Sequence, residues 1–135
     1  MTRLIQLRSS LVLAGLALAC SGSQTTNPPP PPPPPAPPGP PVLSATIQVR
    51  NNVFSPETVR LLAGGQVTWT WVGQDHNVTS VLAPTFSPNS VTELPPFTHG
   101  PITFSTPGTY RYICTIHGGV SSGQTTGMRG VIIVE

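Results

Sequence analysis

Between Pro28 and Pro41 every residue except Ala36 and Gly39 is proline. Proline fixes φ and has no N–H to give to a ladder, so this run favours extended polyproline II and buries nothing. At about 3.1 Å per residue it spans roughly 40 Å. Any core must come from the residues after it, about 90 in number, which suffices for one small domain and no more.

The segment before the prolines reads as an address rather than as structure. Arg3 and Arg8 precede the apolar run Leu11 to Ala19, giving the charged start, hydrophobic middle and small-residue end of a secretory signal. It is too short for a convincing membrane span. Ala17-Leu18-Ala19 fits an ordinary cleavage site, but Cys20 follows directly with Ser21-Gly22-Ser23, which resembles a bacterial lipoprotein box. That resemblance implies cleavage before Cys20, a lipid on its sulfur, and a chain exported to the periplasmic side or the outer membrane. An incidental cysteine beside a normal cleavage site is the alternative. The reading divides the chain into a signal peptide (1–19), a lipidated cysteine with a proline-rich tether (20–43) and a folded domain (44–135). A ligand for a proline-recognition module is the competing use of the proline run, but it suits intracellular signalling better than an exported chain.

The rest reads as strands. Thr46 to Arg50 alternates apolar and polar residues, Thr58 to Leu62 leads into the turn signal Ala63-Gly64-Gly65, and Gln66 to Val72 alternates again. Val78 to Leu82, Ile102 to Ser105, Tyr110 to Cys114 and Val131 to Val134 bring the expectation to about seven strands, with Pro107-Gly108 as a tight turn. No window after the signal has a helical period. The pattern predicts an all-β fold, a Greek-key β-sandwich. Trp69 and Trp71 share strand parity, so at least one belongs to the core. The proline-containing stretch Ala83 to Pro101 predicts an ordered surface loop, with His99 a solvated loop histidine.

Lone cysteines in an oxidising compartment need a reason. With Cys20 modified or removed, Cys114 has no partner for an internal disulfide. A buried free thiol acting as a small hydrophobe is one explanation. A better one lies in the company Cys114 keeps: Asp75-His76-Asn77-Val78 upstream, Cys114-Thr115-Ile116-His117 itself, and Gly127-Met128-Arg129-Gly130 downstream. One soft thiolate, two imidazoles and one thioether suit copper in either of its oxidation states. Zinc accepts the same nitrogen and sulfur donors. The set leaves no vacant position for a substrate, which favours carrying electrons over transforming a molecule.

These residues resemble the cupredoxins, the blue-copper proteins of the plastocyanin and pseudoazurin type. The likeness covers Ser44 to Glu135 and rests on Phe54-Ser55-Pro56, Gly64 to Trp69, His76-Asn77-Val78, and Pro107-Gly108-Thr109-Tyr110 leading into Cys114 to His117. It implies one type 1 copper ion held by His76, Cys114 and His117, with Met128 as axial ligand and Asn77 bracing the cysteine loop. One departure stands out: Gly118 to Gly127 separates His117 from Met128 by an unusually long loop. Gln124 lies inside it, and a glutamine amide oxygen is an alternative axial donor. Asn77-Val78-Thr79 is also a formal glycosylation sequon, discounted beside a metal ligand in a bacterial export product.

Charge excludes some partners. Once Arg3 and Arg8 leave with the signal, four arginines face Glu57, Asp75, Glu93 and Glu135, and there is no lysine. The near-neutral chain has no basic patch for nucleic acid and no field to steer a strongly charged partner. The expected function is single-electron transfer between protein donor and acceptor by a membrane-tethered monomer, not catalysis. Copper enzymes of the superfamily add histidines and domains, and the dinuclear oxidase site needs two cysteines in the ligand loop. The alternative is a copper-binding or delivery protein whose long loop has relaxed the axial bond.

Overall fold

A computed structural model of the chain describes residues 38–135. The signal sequence, Cys20 and most of the proline tether lie outside them. The described residues contain seven strands and no helix: β1 (Val42–Arg50), β2 (Val53–Ser55), β3 (Thr58–Trp71), β4 (Thr79–Val81), β5 (Thr98–Phe104), β6 (Gly108–Ser121) and β7 (Gln124–Val134). Val42 and Leu43, placed by sequence in the tether, are the first residues of β1.

The strands are hydrogen-bonded in the order β2-β1-β3-β7-β6-β4, with β5 also on β3. β3 belongs to both layers of the sandwich. Its first residues, Thr58 to Leu61, run parallel to Val131–Val134 of β7, while Gly65 to Trp71 lie between β1, parallel, and β5, antiparallel. The sequence predicts two strands separated by a turn at Ala63-Gly64-Gly65. The chain instead stays extended through the bend, where Gly64 takes φ +85°, a conformation costly for residues with a Cβ.

Alternation then fills the space between the layers. Ile47, Val49, Val67, Trp69 and Trp71 from one side meet Tyr110, Tyr112, Cys114, Met128, Ile132 and Val134 from the other, all buried. Both tryptophans are core residues. Phe54 and Tyr112 approach to 4.8 Å between ring centroids, and Trp69 meets Tyr112 edge-on at 5.5 Å. Aromatic pairs in such tilted geometry add about 0.5–1.5 kcal/mol beyond the area they bury.

Two segments differ from the sequence expectation. His99 sits within β5, half-buried, rather than in a solvated loop; prolines on either side hide that strand in the sequence. Gly118 to Gly127 forms no loop. β6 and β7 keep pairing through it, Gly118↔Gly127 to Ser121↔Gln124, and close on Ser122-Gly123, both with positive φ, at 50° and 72°. Two consecutive residues of positive φ make the type I′ turn that matches strand twist in a two-residue hairpin. Residues 82–97 are an ordered surface segment, held by Val78 and Ser80: the Val78 N–H donates to Ser90 Oγ at 2.7 Å and the Ser80 N–H to Asn89 Oδ1 at 2.8 Å.

Candidate metal centre

His76, Cys114 and His117 come together at one end of the sandwich, their donor atoms all within 4.8 Å of one another. His76 follows β3 and makes an isolated bridge with Glu93. Its carbonyl accepts from the Glu93 N–H at 2.9 Å and from the indole Nε1–H of Trp71 at 3.0 Å. A buried tryptophan N–H bound to a backbone acceptor anchors that turn to the core.

The other two donors arise from a mismatch in the β6–β7 ladder. Pairing runs from Gly108↔Val134 to Ile113↔Arg129 and resumes at Gly118↔Gly127. Cys114, Thr115, Ile116 and His117 on β6 therefore face Met128 alone on β7. The surplus residues bulge outward and swing His117 round towards Cys114, as bulges do when they re-aim a side chain. Cys114, His76 and Met128 are buried, with 0%, 1% and 2% of their surface exposed; His117 is exposed.

The donors face one another. His76 Nδ1 lies 3.1 Å from His117 Nδ1, and Cys114 Sγ lies 3.8 Å from the former and 3.5 Å from the latter. An ion in their plane, about 2.0 Å from each nitrogen and about 2.3 Å from sulfur, separates such donors by roughly 3.5–3.7 Å. The triangle fits a metal ion. Burial, then the neighbouring His117, holds the His76 pKa below its ordinary value against the opposing pull of Asp75, which keeps the imidazole in its neutral, ligating form.

Asn77 ties the bulge to the turn that carries His76. Its Oδ1 accepts from the Thr115 N–H at 2.9 Å and its Nδ2 donates to Thr115 Oγ1 at 2.8 Å. Thr115 was not singled out by sequence, although its place beside Cys114 was the available signal. Trp71 and Glu93, which fix the His76 carbonyl, were likewise invisible as site residues, because their role depends on pairing across the fold.

Of the remaining candidates, Met128 lies in the core cluster that includes Cys114, directly opposite the ligand bulge. Gln124 is exposed at the hairpin tip. His99 stands apart, its Nε2 3.0 Å from the Pro88 carbonyl oxygen and its ring tilted against Trp69.

No protein-family model matches the chain, and no curated protein matches it in sequence. Solved structures do. A pseudoazurin from Sinorhizobium is 25% identical, with 68% of this chain and 73% of that one aligned at a TM-score of 0.52. A purple cupredoxin from Nitrosopumilus maritimus is 23% identical over 67% of this chain and 99% of that one, at 0.53. A copper-containing nitrite reductase from Thermus scotoductus is 24% identical at 0.55; 69% of this chain is aligned, spanning only 22% of that much longer protein. The described residues therefore have the cupredoxin fold, and their His-Cys-His cluster is a site that can hold one type 1 copper ion.

Proposed function

We propose that the chain is a single-electron carrier in which His76, Cys114 and His117 hold one copper ion and Met128 is the axial donor. The observation that carries this reading is the convergence of two Nδ1 atoms and one thiol sulfur on a single point, with the thioether-bearing residue opposite. Bound copper supplies a one-electron couple, which thiolate and thioether favour in the reduced form and imidazole accepts in both.

The protein's part is to hold the donors still. Cys114 and His76 are both buried, and Asn77 bonds the segments that carry them. A site rigid in both oxidation states reorganises little, and little reorganisation is what fast transfer needs. His117 is the only exposed member of the triad, so its ring edge is the natural point of electron entry and exit. Exposed Ile116, next to His117 in sequence, adds apolar surface for a protein donor or acceptor.

The delivery alternative drew on a slack connection between His117 and Met128. A paired hairpin in its place favours the carrier. Copper-loaded full chain should show reversible one-electron voltammetry with matched oxidation and reduction waves. Slow, irreversible waves would favour a protein that stores or hands over copper.

For the residues outside the described region, the reading is an exported lipoprotein anchored through Cys20, with the proline tether holding a monomeric domain clear of the bilayer. It is supported by the signal-like run before Cys20 and the stiffness of polyproline. Cys20→Ala should release the protein from membranes into the soluble fraction; unchanged membrane association would argue against the anchor.

A further inference from the structure

The hairpin Gly118 to Gly127 lies between two candidate ligands, His117 and Met128. Building on the proposed copper site, we infer that this hairpin is a clamp, and that Gly127 is a positioning residue for His117.

Three observations converge. The first is register: Gly118↔Gly127 is the pair at which the β6–β7 ladder resumes after the bulge, so it fixes where His117 ends and the hairpin begins. The second is space. A Cβ on Gly127 would fall on the His117 carbonyl oxygen, and one on Gly118 would stand 2.6 Å from the Met128 carbonyl oxygen and 2.8 Å from that of Thr126. The two strands thus approach here more closely than any side chain allows, with each glycine set against the backbone carbonyl of one candidate ligand. The third is conformation: Gly127 has φ +66°, open to glycine at little cost.

Exposed histidines are ordinarily free to change rotamer. Among the described residues, the His117 side chain has no hydrogen bond other than its contacts with His76 and Cys114. Its ring is aimed, therefore, by its own backbone, which Gly127 pins from the far side. Beyond that point the hairpin adds ladder pairs and a type I′ turn, which hold the closing pair together. An open loop of equal length would leave both His117 and Met128 to wander, since ten unpaired residues cost little to move. The hairpin converts a long insertion into a rigid return path, and pre-organises the exposed ligand before metal arrives.

The test compares two glycines of the same hairpin. Gly123 also has positive φ, at 72°, but a Cβ there meets nothing within 4 Å. Gly123→Ala therefore imposes the same backbone strain without touching His117. In the full chain without metal, Gly127→Ala should shift the His117 ring resonances, and after Cu(II) addition it should weaken the thiolate-to-copper band and widen the copper hyperfine splitting. Gly123→Ala should match wild type in all three. A folded Gly127→Ala protein with wild-type His117 resonances overturns the clamp, as does a Gly123→Ala protein perturbed equally.

A second measurement needs no variant. Amide hydrogen exchange of the metal-free wild-type chain should show the hairpin ladder amides protected to a degree comparable with Tyr112 and Ile132. Exchange at the rate of an open loop overturns the proposal. If wild-type protein takes up no copper, the carrier reading fails, while the metal-free resonances and exchange still decide the clamp.

Discussion

Asn77 holds Thr115 by both ends of its amide, accepting from the backbone N–H at 2.9 Å and donating to the hydroxyl at 2.8 Å. The residue after one candidate ligand is thereby bonded to the residue after another, and the distance between His76 and Cys114 is set by a side chain that touches neither donor atom. Partners behind the ligands orient them in this way in metal sites generally.

Replacing the buried Asn77 by alanine removes both of its hydrogen bonds to Thr115, each worth about 0.5–1.5 kcal/mol net. Denaturant unfolding of the metal-free chain should show a destabilisation of that size. Asn77→Asp keeps an acceptor for the N–H but gives up the donor to the hydroxyl, so it should fall between wild type and Asn77→Ala.

Met128 and Gln124 make opposite predictions. Met128 is buried against the core and faces the ligand bulge, so Met128→Ala should cost about 2–5 kcal/mol and, in copper-loaded protein, leave a coloured site with a changed reduction potential. Gln124 is exposed at the hairpin tip, and Gln124→Ala should alter stability by less than about 0.5 kcal/mol and leave the potential where it was. Potentiometric titration of the two variants side by side checks both.

Tyr112 has its phenolic oxygen buried without a hydrogen-bond partner among the described residues. Burial pushes its pKa well above the ordinary phenol value, against a smaller opposing pull from the Trp69 side chain, so the group stays neutral. Tyr112→Phe keeps the contacts with Phe54 and Trp69 and removes a desolvated hydroxyl. Thermal unfolding should show an unchanged or higher midpoint, with a gain of up to about 1 kcal/mol.

The candidate cluster of His76, Cys114 and His117 was legible in the sequence because it depends on residue type: such donors are rare, and their order carries meaning before any fold is known. The sandwich was legible wherever one face of a strand is buried, as in Gln66 to Trp71, since alternation marks such strands. It failed where burial gives no alternation. Gly118 to Gly127 contains glycine, serine, threonine, Gln124 and a single exposed valine, so nothing in it reads as a strand; its order comes from register inherited from the β6–β7 ladder and from the Ser122-Gly123 turn. β5 was missed at its start because Pro95, Pro96 and Pro101 surround His99. Glu93 and Thr115 acquire their roles only through partners distant in the chain, which no local pattern encodes.

The central claim is that Cys114 would bind copper as a thiolate together with His76 and His117. Its most direct test is the visible and EPR spectrum of the full chain after titration with Cu(II), compared with Cys114→Ser. The account predicts an intense thiolate-to-copper absorption with narrow hyperfine splitting, lost on reduction, restored on reoxidation and absent from the variant. A Cys114→Ser protein that keeps the band, or a wild-type protein whose Cu(II) shows only ordinary tetragonal parameters, would contradict it.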